Sequence, residues 1–391
     1  MERRGRGDGV RLGIDATPLA RAKSGIGYHV EFLVRALAKT GGIEEIILFS
    51  NREPVFDGDR PARARWVDRR LFPMRAPWLQ FLLPSLIREE KPDLVHYVNF
   101  NAPVFSSHPF VVTFHDMSVF LHPEYFTWKK RLLTRPLMPV VGRRARAILT
   151  VSETVREEIV ALLGFERERI FVVPPAPADL YAPVEDSPER SAILRGRNLA
   201  GPYILFVGTL EPRKNLAGLL RAFDLLKQEG RIPHRLAVVG GRGWKYSPIF
   251  ETVDAMRNKS EVLFLDYVPL AELPAIYSAA DLLVFPSFYE GFGVPPVEAM
   301  RCATPTLVSD LPVTREVLGD ASRYVDPASD EAIAEGMLQI LSDSGVASDL
   351  RRRGLERAAL YTWDRAARLA LDAYRSVLGC GGSGTTSADR S

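Results

Sequence analysis

Two glutamates eight positions apart, Glu290 and Glu298, sit in the segment DLLVFPSFYEGFGVPPVEAM. The apolar run ending near Pro286 reads as a buried strand. Glu290, Gly291, Phe292, Gly293 and Val294 then read as a loop, and Pro295 marks the first turn of a helix, where a missing amide costs nothing. The glycines let backbone approach a ligand, and amides at a helix start favour an anion. A carboxylate only accepts hydrogen bonds. Glu290 on the loop and Glu298 on the helix therefore suit a hydroxyl-rich ligand such as a sugar and a ribose. The competing reading is a tight turn with two solvated glutamates.

Three further segments follow apolar runs. In ILFVGTLEPRKNLAGLLRAF, Gly208 and Thr209 lead to Arg213 and Lys214 at an expected helix start. The helix dipole disfavours cations there, and a bound diphosphate explains them through charge-assisted hydrogen bonds; a surface basic pair is the alternative. In RAKSGIGYHVEF, Gly25 and Gly27 permit close backbone approach to an anion, although Val30 breaks the G-x-G-x-x-G fingerprint. In VVTFHDMS, His115 and Asp116 end a strand. His115 there suits either a sugar hydroxyl, a phosphate, or a purely structural hydrogen bond. VVGGRGW is neither a dinucleotide fingerprint nor a P-loop, Asp57 and Asp59 read as a solvated turn rather than a metal pair, and Cys302 reads as buried packing.

Apolar runs at 11–14, 46–49, 94–98, 110–114, 147–151 and 170–173 alternate with helical patterns such as GYHVEFLVRALAK. That alternation predicts a parallel sheet covered on both faces. The stretch 174–202 is rich in proline and charge and reads as a linker. Alternation restarts with YILFVG, LAVVGG, VLFLDYV, DLLVFPS and TPTLVSD. The expected organisation is therefore an N-terminal domain over 10–180, a linker over 181–201, a second domain over 202–361, a helix over 362–378 and a disordered tail over 379–391. Both domains are doubly wound α/β units, whose ligands bind beyond the carboxyl ends of the strands.

The chain has 391 residues, 46% of them hydrophobic and 25% charged, which fits a globular protein of more than one domain. Its net charge, 51 − 48 = +3, gives no reason to expect a nucleic-acid partner. Cys302 and Cys380 cannot build a disulfide framework, and no apolar run is long enough to span a bilayer. A reducing, cytoplasmic location is expected.

EGFGVPPVE, GTLEPRKN, SGIGY and TFHDM together resemble the retaining glycosyltransferases of family 4, over most of the chain. The resemblance implies a GT-B fold, two Rossmann-like domains facing a cleft, with a nucleotide-sugar donor and no cofactor or metal. It implies that Arg213 and Lys214 hold the donor diphosphate, that Glu290 contacts the transferred sugar, Glu298 the ribose and His115 the sugar near the reaction centre. The glycine loop falls on Ser24, Gly25, Ile26 and Gly27. The GTLEPRKN-type segment resembles mannosyltransferases of bacterial surface-polysaccharide assembly, which implies GDP-mannose as donor and a glycan or lipid-linked acceptor. Departures are Ser24 and Thr209, where many relatives have glycine and some arginine, and Pro175-Ala176 in place of asparagine-glycine. A sugar-nucleotide epimerase of the same fold and a catalytically silent partner subunit are the alternatives.

FTWKKRLLTRPLMPVVGRRARA interleaves Lys129, Lys130, Arg131, Arg135, Arg143, Arg144 and Arg146 with Phe126, Trp128, Leu132, Leu133, Leu137 and Met138, without an acidic residue. RRLFPMRAPWLQFLLPSL adds Arg69, Arg70, Arg75 and Trp78. Such mixtures suit peripheral contact with an anionic membrane at its cytoplasmic face. Pro136 and Pro139 speak against one long interfacial helix.

Overall fold

The computed structural model describes residues 9–20, 23, 25–67 and 77–379. Ser24, Arg69, Arg70, Arg75, Cys380 and the tail beyond 379 lie outside the described residues. Strands β1 (Val10–Asp15), β2 (Ile43–Phe49), β3 (Ala64–Trp66), β4 (Leu94–Tyr97), β5 (Phe110–Phe114), β6 (Ala147–Thr150) and β7 (Ile170–Val172) form one parallel sheet in the order β3-β2-β1-β4-β5-β6-β7. Strands β8 (Tyr203–Val207), β9 (Arg235–Val239), β10 (Val262–Asp266), β11 (Leu282–Phe285), β12 (Thr306–Ser309) and β13 (Arg323–Val325) form a second, in the order β10-β9-β8-β11-β12-β13. Every residue of β4, β5, β6, β11 and β12 is buried. Both faces of each strand are covered, which is why these runs are apolar without alternation.

Strand order reverses between β1 and β4 in the first sheet and between β8 and β11 in the second. Crevices open at such reversals, beyond the carboxyl ends of the flanking strands. The two crevices face one another, and the residues following β1, β5, β8 and β11 line the space between them.

Helix α1 (Gly25–Lys39) covers the first sheet. It is joined by the last described helix, α2 (Trp363–Leu378), which buries Trp363, Ala366, Ala367, Ala370, Leu371 and Tyr374 along one face. These residues share a core cluster with β1, β2 and α1, so the last described helix returns to the first sheet. Tyr374 Oη lies 2.9 Å from His96 Nδ1, and His96 Nε2 lies 2.7 Å from Thr113 Oγ1. Both ring nitrogens of a histidine in the middle of β4 are thereby satisfied. Burial pushes its pKa down to about 3, so the ring is neutral.

The stretch expected to be a bare linker contains a helix, Pro188–Gly196. Ser187 caps it by accepting from the Arg190 amide at 3.2 Å, and Pro188 occupies the first turn. Local capping chemistry overrides a linker-like composition here. Pro136 and Pro139 do not interrupt the chain's helix either. One helix, Trp128–Arg144, runs through both prolines. Trp78, Phe126 and Met138, counted above among interfacial groups, are core residues. Trp128, Leu132 and Leu133 are 66, 70 and 68% exposed. Among the described residues no helix is long and apolar enough to cross a membrane.

Candidate active site

The space between the sheets is a cleft of about 600 Å³. Its lining includes Gly25, His115, Gly208, Thr209, Arg213, Lys214, Glu290, Gly291, Phe292, Gly293, Val294 and Glu298. Gly27 is the exception. It is buried in α1, where a Cβ would stand 3.1 Å from the Pro18 carbonyl, so its smallness serves packing.

Arg213 and Lys214 do not begin a helix. They close a 3-10 turn, Pro212–Lys214, and the helix Leu216–Gln228 starts after Asn215, which caps it in a left-handed conformation. The two cations meet carboxylates. Lys214 Nζ donates to Glu290 Oε1 at 2.6 Å and lies 4.9 Å from the centre of the Phe285 ring. Arg213 Nε and Nη2 grip Glu211 Oε1 at 3.1 and 2.7 Å, while Nη1 donates to the Tyr289 carbonyl at 2.8 Å and to Glu290 Oε2 at 3.3 Å. Burial pulls the Lys214 pKa down more than Glu290 restores it. Glu290 goes the other way: burial raises its pKa, but Lys214 and Arg213 outweigh burial and hold it below the ordinary glutamate value. Burial likewise opposes the charge on Arg213, and Glu290, Asp116 and Glu211 overcome it, raising its pKa. Glu211 and Asp116 were not singled out as site residues; Glu211 stood within the quoted EPRKN segment, two positions before the arginine.

Opposite this cluster, His115 Nε2 lies 2.7 Å from the Val98 carbonyl, and the ring packs edge-on against His29 with centroids 4.9 Å apart. A carbonyl can only accept, so Nε2 carries the proton. Burial lowers the pKa of the ring despite that carbonyl, which keeps it neutral and leaves Nδ1 as an acceptor. The structural and functional readings of His115 are therefore compatible. One nitrogen anchors the ring and the other can take a hydroxyl proton donor.

Glu298 is half-buried on the helix Val294–Arg301 and accepts from Tyr277 Oη at 2.8 Å. Burial pushes its pKa up to about 7, with Tyr277 and Tyr181 opposing. The tyrosines gave no periodic signal in the sequence that tied them to this carboxylate. Gly293 precedes that helix at φ 87° with no side-chain cap.

The loop Gly291 approaches the first sheet so closely that a Cβ on it would stand 2.0 Å from the His115 carbonyl oxygen. Ser152 Oγ donates to the Gly291 carbonyl at 2.8 Å. Gly240, in the VVGGRGW segment, has a comparable structural reason: at φ 145° its missing Cβ would meet the Gly208 carbonyl at 2.0 Å. Asp57 pairs with Lys23 Nζ at 2.6 Å and its amide donates to Glu31 at 2.9 Å, so it belongs to a turn held by side chains. Among the described residues no group of three or more His, Cys, Asp and Glu is arranged to hold a metal. Cys302 is buried, and burial pushes its thiol up to about 12.

Residues 194–357 match the family described as Glycosyl transferases group 1, and residues 23–176 match Glycosyltransferase Family 4. The chain is 34% identical to O-antigen chain mannosyltransferase B of Escherichia coli over 92% of its own length and 97% of that protein. The chain belongs to the family 4 glycosyltransferases. Its fold is GT-B. It superposes on sucrose-phosphate synthase of Thermosynechococcus elongatus with a TM-score of 0.75 at 20% identity, covering 95% of this chain and 99% of the other. The Anabaena protein HepE, solved with UDP and glucose, matches with a TM-score of 0.73 at 16% identity over 94% and 100% of the two chains. The cleft of this glycosyltransferase lies between the two sheets, with the Arg213, Lys214 and Glu290 cluster on the second and His115 on the first.

Proposed function

We propose that this glycosyltransferase moves mannose from GDP-mannose to a glycan or lipid-linked acceptor with retention of anomeric configuration, in surface-polysaccharide assembly. The observation that carries the reading is the half-buried Lys214–Glu290–Arg213 cluster opening on a cleft that His115 faces. The choice of mannose rests on the name of the O-antigen relative and on the GTLEPRKN-type segment.

Breaking the anomeric C–O bond puts positive charge on the sugar and negative charge on the departing diphosphate. A lysine with one of its three N–H bonds engaged has two left to offer that diphosphate, and they strengthen as charge develops. These cations take the part that a divalent metal takes elsewhere. Glu290, held ionised beside them, accepts from sugar hydroxyls, and Glu298 accepts from the ribose. The acceptor hydroxyl attacks from the side the diphosphate leaves, and its proton passes to the departing phosphate oxygen, which balances the step and preserves configuration. A lipid-linked acceptor would be met at the cytoplasmic face of the membrane by exposed Trp128, Leu132 and Leu133 with Lys129 and Arg135.

A thermal-shift screen against GDP, UDP, ADP and dTDP sugars tests the donor. A ligand at 100 times its Kd stabilises by about 2.7 kcal/mol. GDP-mannose should raise Tm most, and transfer to acceptor should survive EDTA. A larger shift with another base, or release of free epimer without acceptor, would overturn the assignment.

A further inference from the structure

A second cavity, of about 490 Å³, lies where β5 and β6 begin, at the opposite edge of the first sheet from the cleft. Phe110 borders this cavity and Phe114 borders the cleft, so the length of β5, about 15 Å, separates the two. Arg143, Arg144, Arg146 and Arg169 line it together with Ser106 and His108, and among the described residues no acidic one is in the lining.

Several arginines elsewhere in the molecule are matched by carboxylates: Arg65 by Glu45 and Glu90, Arg221 by Asp330, Arg315 by Asp310. Here they are not. Arg144 donates to the Ser106 carbonyl at 3.0 Å, and Arg169 donates to the Gly142 and Ala145 carbonyls at 3.2 and 2.5 Å. The side chains of Arg143 and Arg146 have no partner among the described residues. The end of the helix Trp128–Arg144 supplies roughly half a negative charge, which answers Arg169 and leaves most of the positive charge uncompensated. Asp93, the carboxylate acting on His108, accepts from the Arg11 amide at 2.9 Å and is not in the lining.

Guanidinium groups converging on a polar cavity match the oxygens of a phosphate, which they bind by paired N–H donors. We propose that this cavity is a binding site for a phosphate-bearing anion, separate from the cleft. Two sources carry that chemistry: the headgroup of an anionic phospholipid and free phosphate or pyrophosphate. Phe105, adjacent to Ser106, is 86% exposed, a placement suited to a lipid surface beside the headgroup.

The test uses the full chain and the variant R143A/R144A/R146A, which spares Arg169 and its bonds to the helix end. One arm measures co-sedimentation with phosphatidylglycerol and with phosphatidylcholine vesicles; the other titrates pyrophosphate by calorimetry. The variant should keep its Tm and its transfer rate to a soluble acceptor. A loss of about tenfold or more in phosphatidylglycerol binding assigns the site to a headgroup, and the same loss in pyrophosphate binding assigns it to the free anion. A control, R323A/R351A/R352A, removes three cations from the other domain. The proposal is overturned if the variant matches the wild type in both arms, or if the control loses as much.

Discussion

Four hydrogen bonds from Arg213 go to Glu211, Glu290 and the Tyr289 carbonyl, whereas Lys214 gives one, to Glu290. Adjacent cations thus have different work. Lys214 retains donors for a leaving group, and Arg213 holds two buried carboxylates in place. Lys214→Ala should lower kcat by roughly 10²-fold or more, since it removes charge stabilisation that grows in the transition state, with a smaller fall in Tm than Arg213→Ala because Glu290 keeps its bond from Arg213. Arg213→Ala should lower activity and also Tm, because breaking a buried pair costs about 3–5 kcal/mol through the carboxylates left behind. Calorimetric melts alongside steady-state kinetics separate the two; equal Tm losses would refute the division. Glu298 offers a pH test. The folded chain keeps its proton up to about pH 7, while the unfolded chain releases it near 4.3. The folded state therefore binds more protons in that window, and the residue's contribution to stability falls as pH rises through it. Hydroxyls donating to the carboxylate favour its charged form, so nucleotide binding below pH 7 should release a proton. Calorimetry in buffers of different ionisation enthalpy reads that proton, and Glu298→Gln should abolish it.

At the scale of elements, the strongest readings of the sequence came from runs whose burial is two-sided. The expected strands at 94–98, 110–114 and 147–151 fall within a residue of β4, β5 and β6. The short edge strands β3 and β13 escaped notice because an edge position asks for little apolar content: Arg65 and Arg323 sit within them, exposed. The helix Pro188–Gly196 was hidden by its own proline and charge, and the passage of Trp128–Arg144 through two prolines ran against local propensity. The cleft lining was largely legible, since its residues follow strands. What spacing could not show was pairing across distance: Glu211 with Arg213 at close range, or Tyr277 with Glu298 across twenty-one positions. The loop after β11 illustrates how an element positions the site. Gly291→Ala would drive a Cβ into the His115 carbonyl, a backbone atom that cannot turn aside. The two sheets should then sit farther apart at the cleft. A fall in kcat/KM with near-native far-UV circular dichroism is the expected result; unchanged kinetics would mean that the approach at Gly291 is not required.

At the scale of the whole molecule, polar contacts join the two halves both beside the cleft and away from it. Tyr289 Oη accepts from the Met117 amide at 2.9 Å and donates to Glu158 Oε2 at 2.5 Å, directly beside Glu290. Burial raises the Glu158 pKa to about 7, and the tyrosine's donation opposes it. Trp244 Nε1 donates to the Tyr125 carbonyl at 2.7 Å on one flank of the cleft. Away from the cleft, Glu316 on the helix Pro312–Leu318 caps the start of the helix Glu153–Leu163 from across the divide. Its carboxylate accepts from the Glu153 and Thr154 amides at 2.7 and 2.8 Å and from Thr154 Oγ1 at 2.6 Å. A carboxylate at a helix start gains from the dipole as well as from the bonds. Glu316→Gln keeps the size but loses the charge, and turns one amide N–H₂ group toward donors that need acceptors. It touches neither the cleft nor either sheet's core. The closed arrangement should therefore loosen while each domain stays folded. Small-angle scattering should show a larger radius of gyration for Glu316→Gln without ligand, shrinking toward the wild-type value with donor bound. Kinetically, KM for donor should rise more than kcat falls, since closure is completed by the donor's own binding. A wild-type radius with wild-type KM would show that the cap stabilises the helix Glu153–Leu163 alone and has no part in holding the cleft closed.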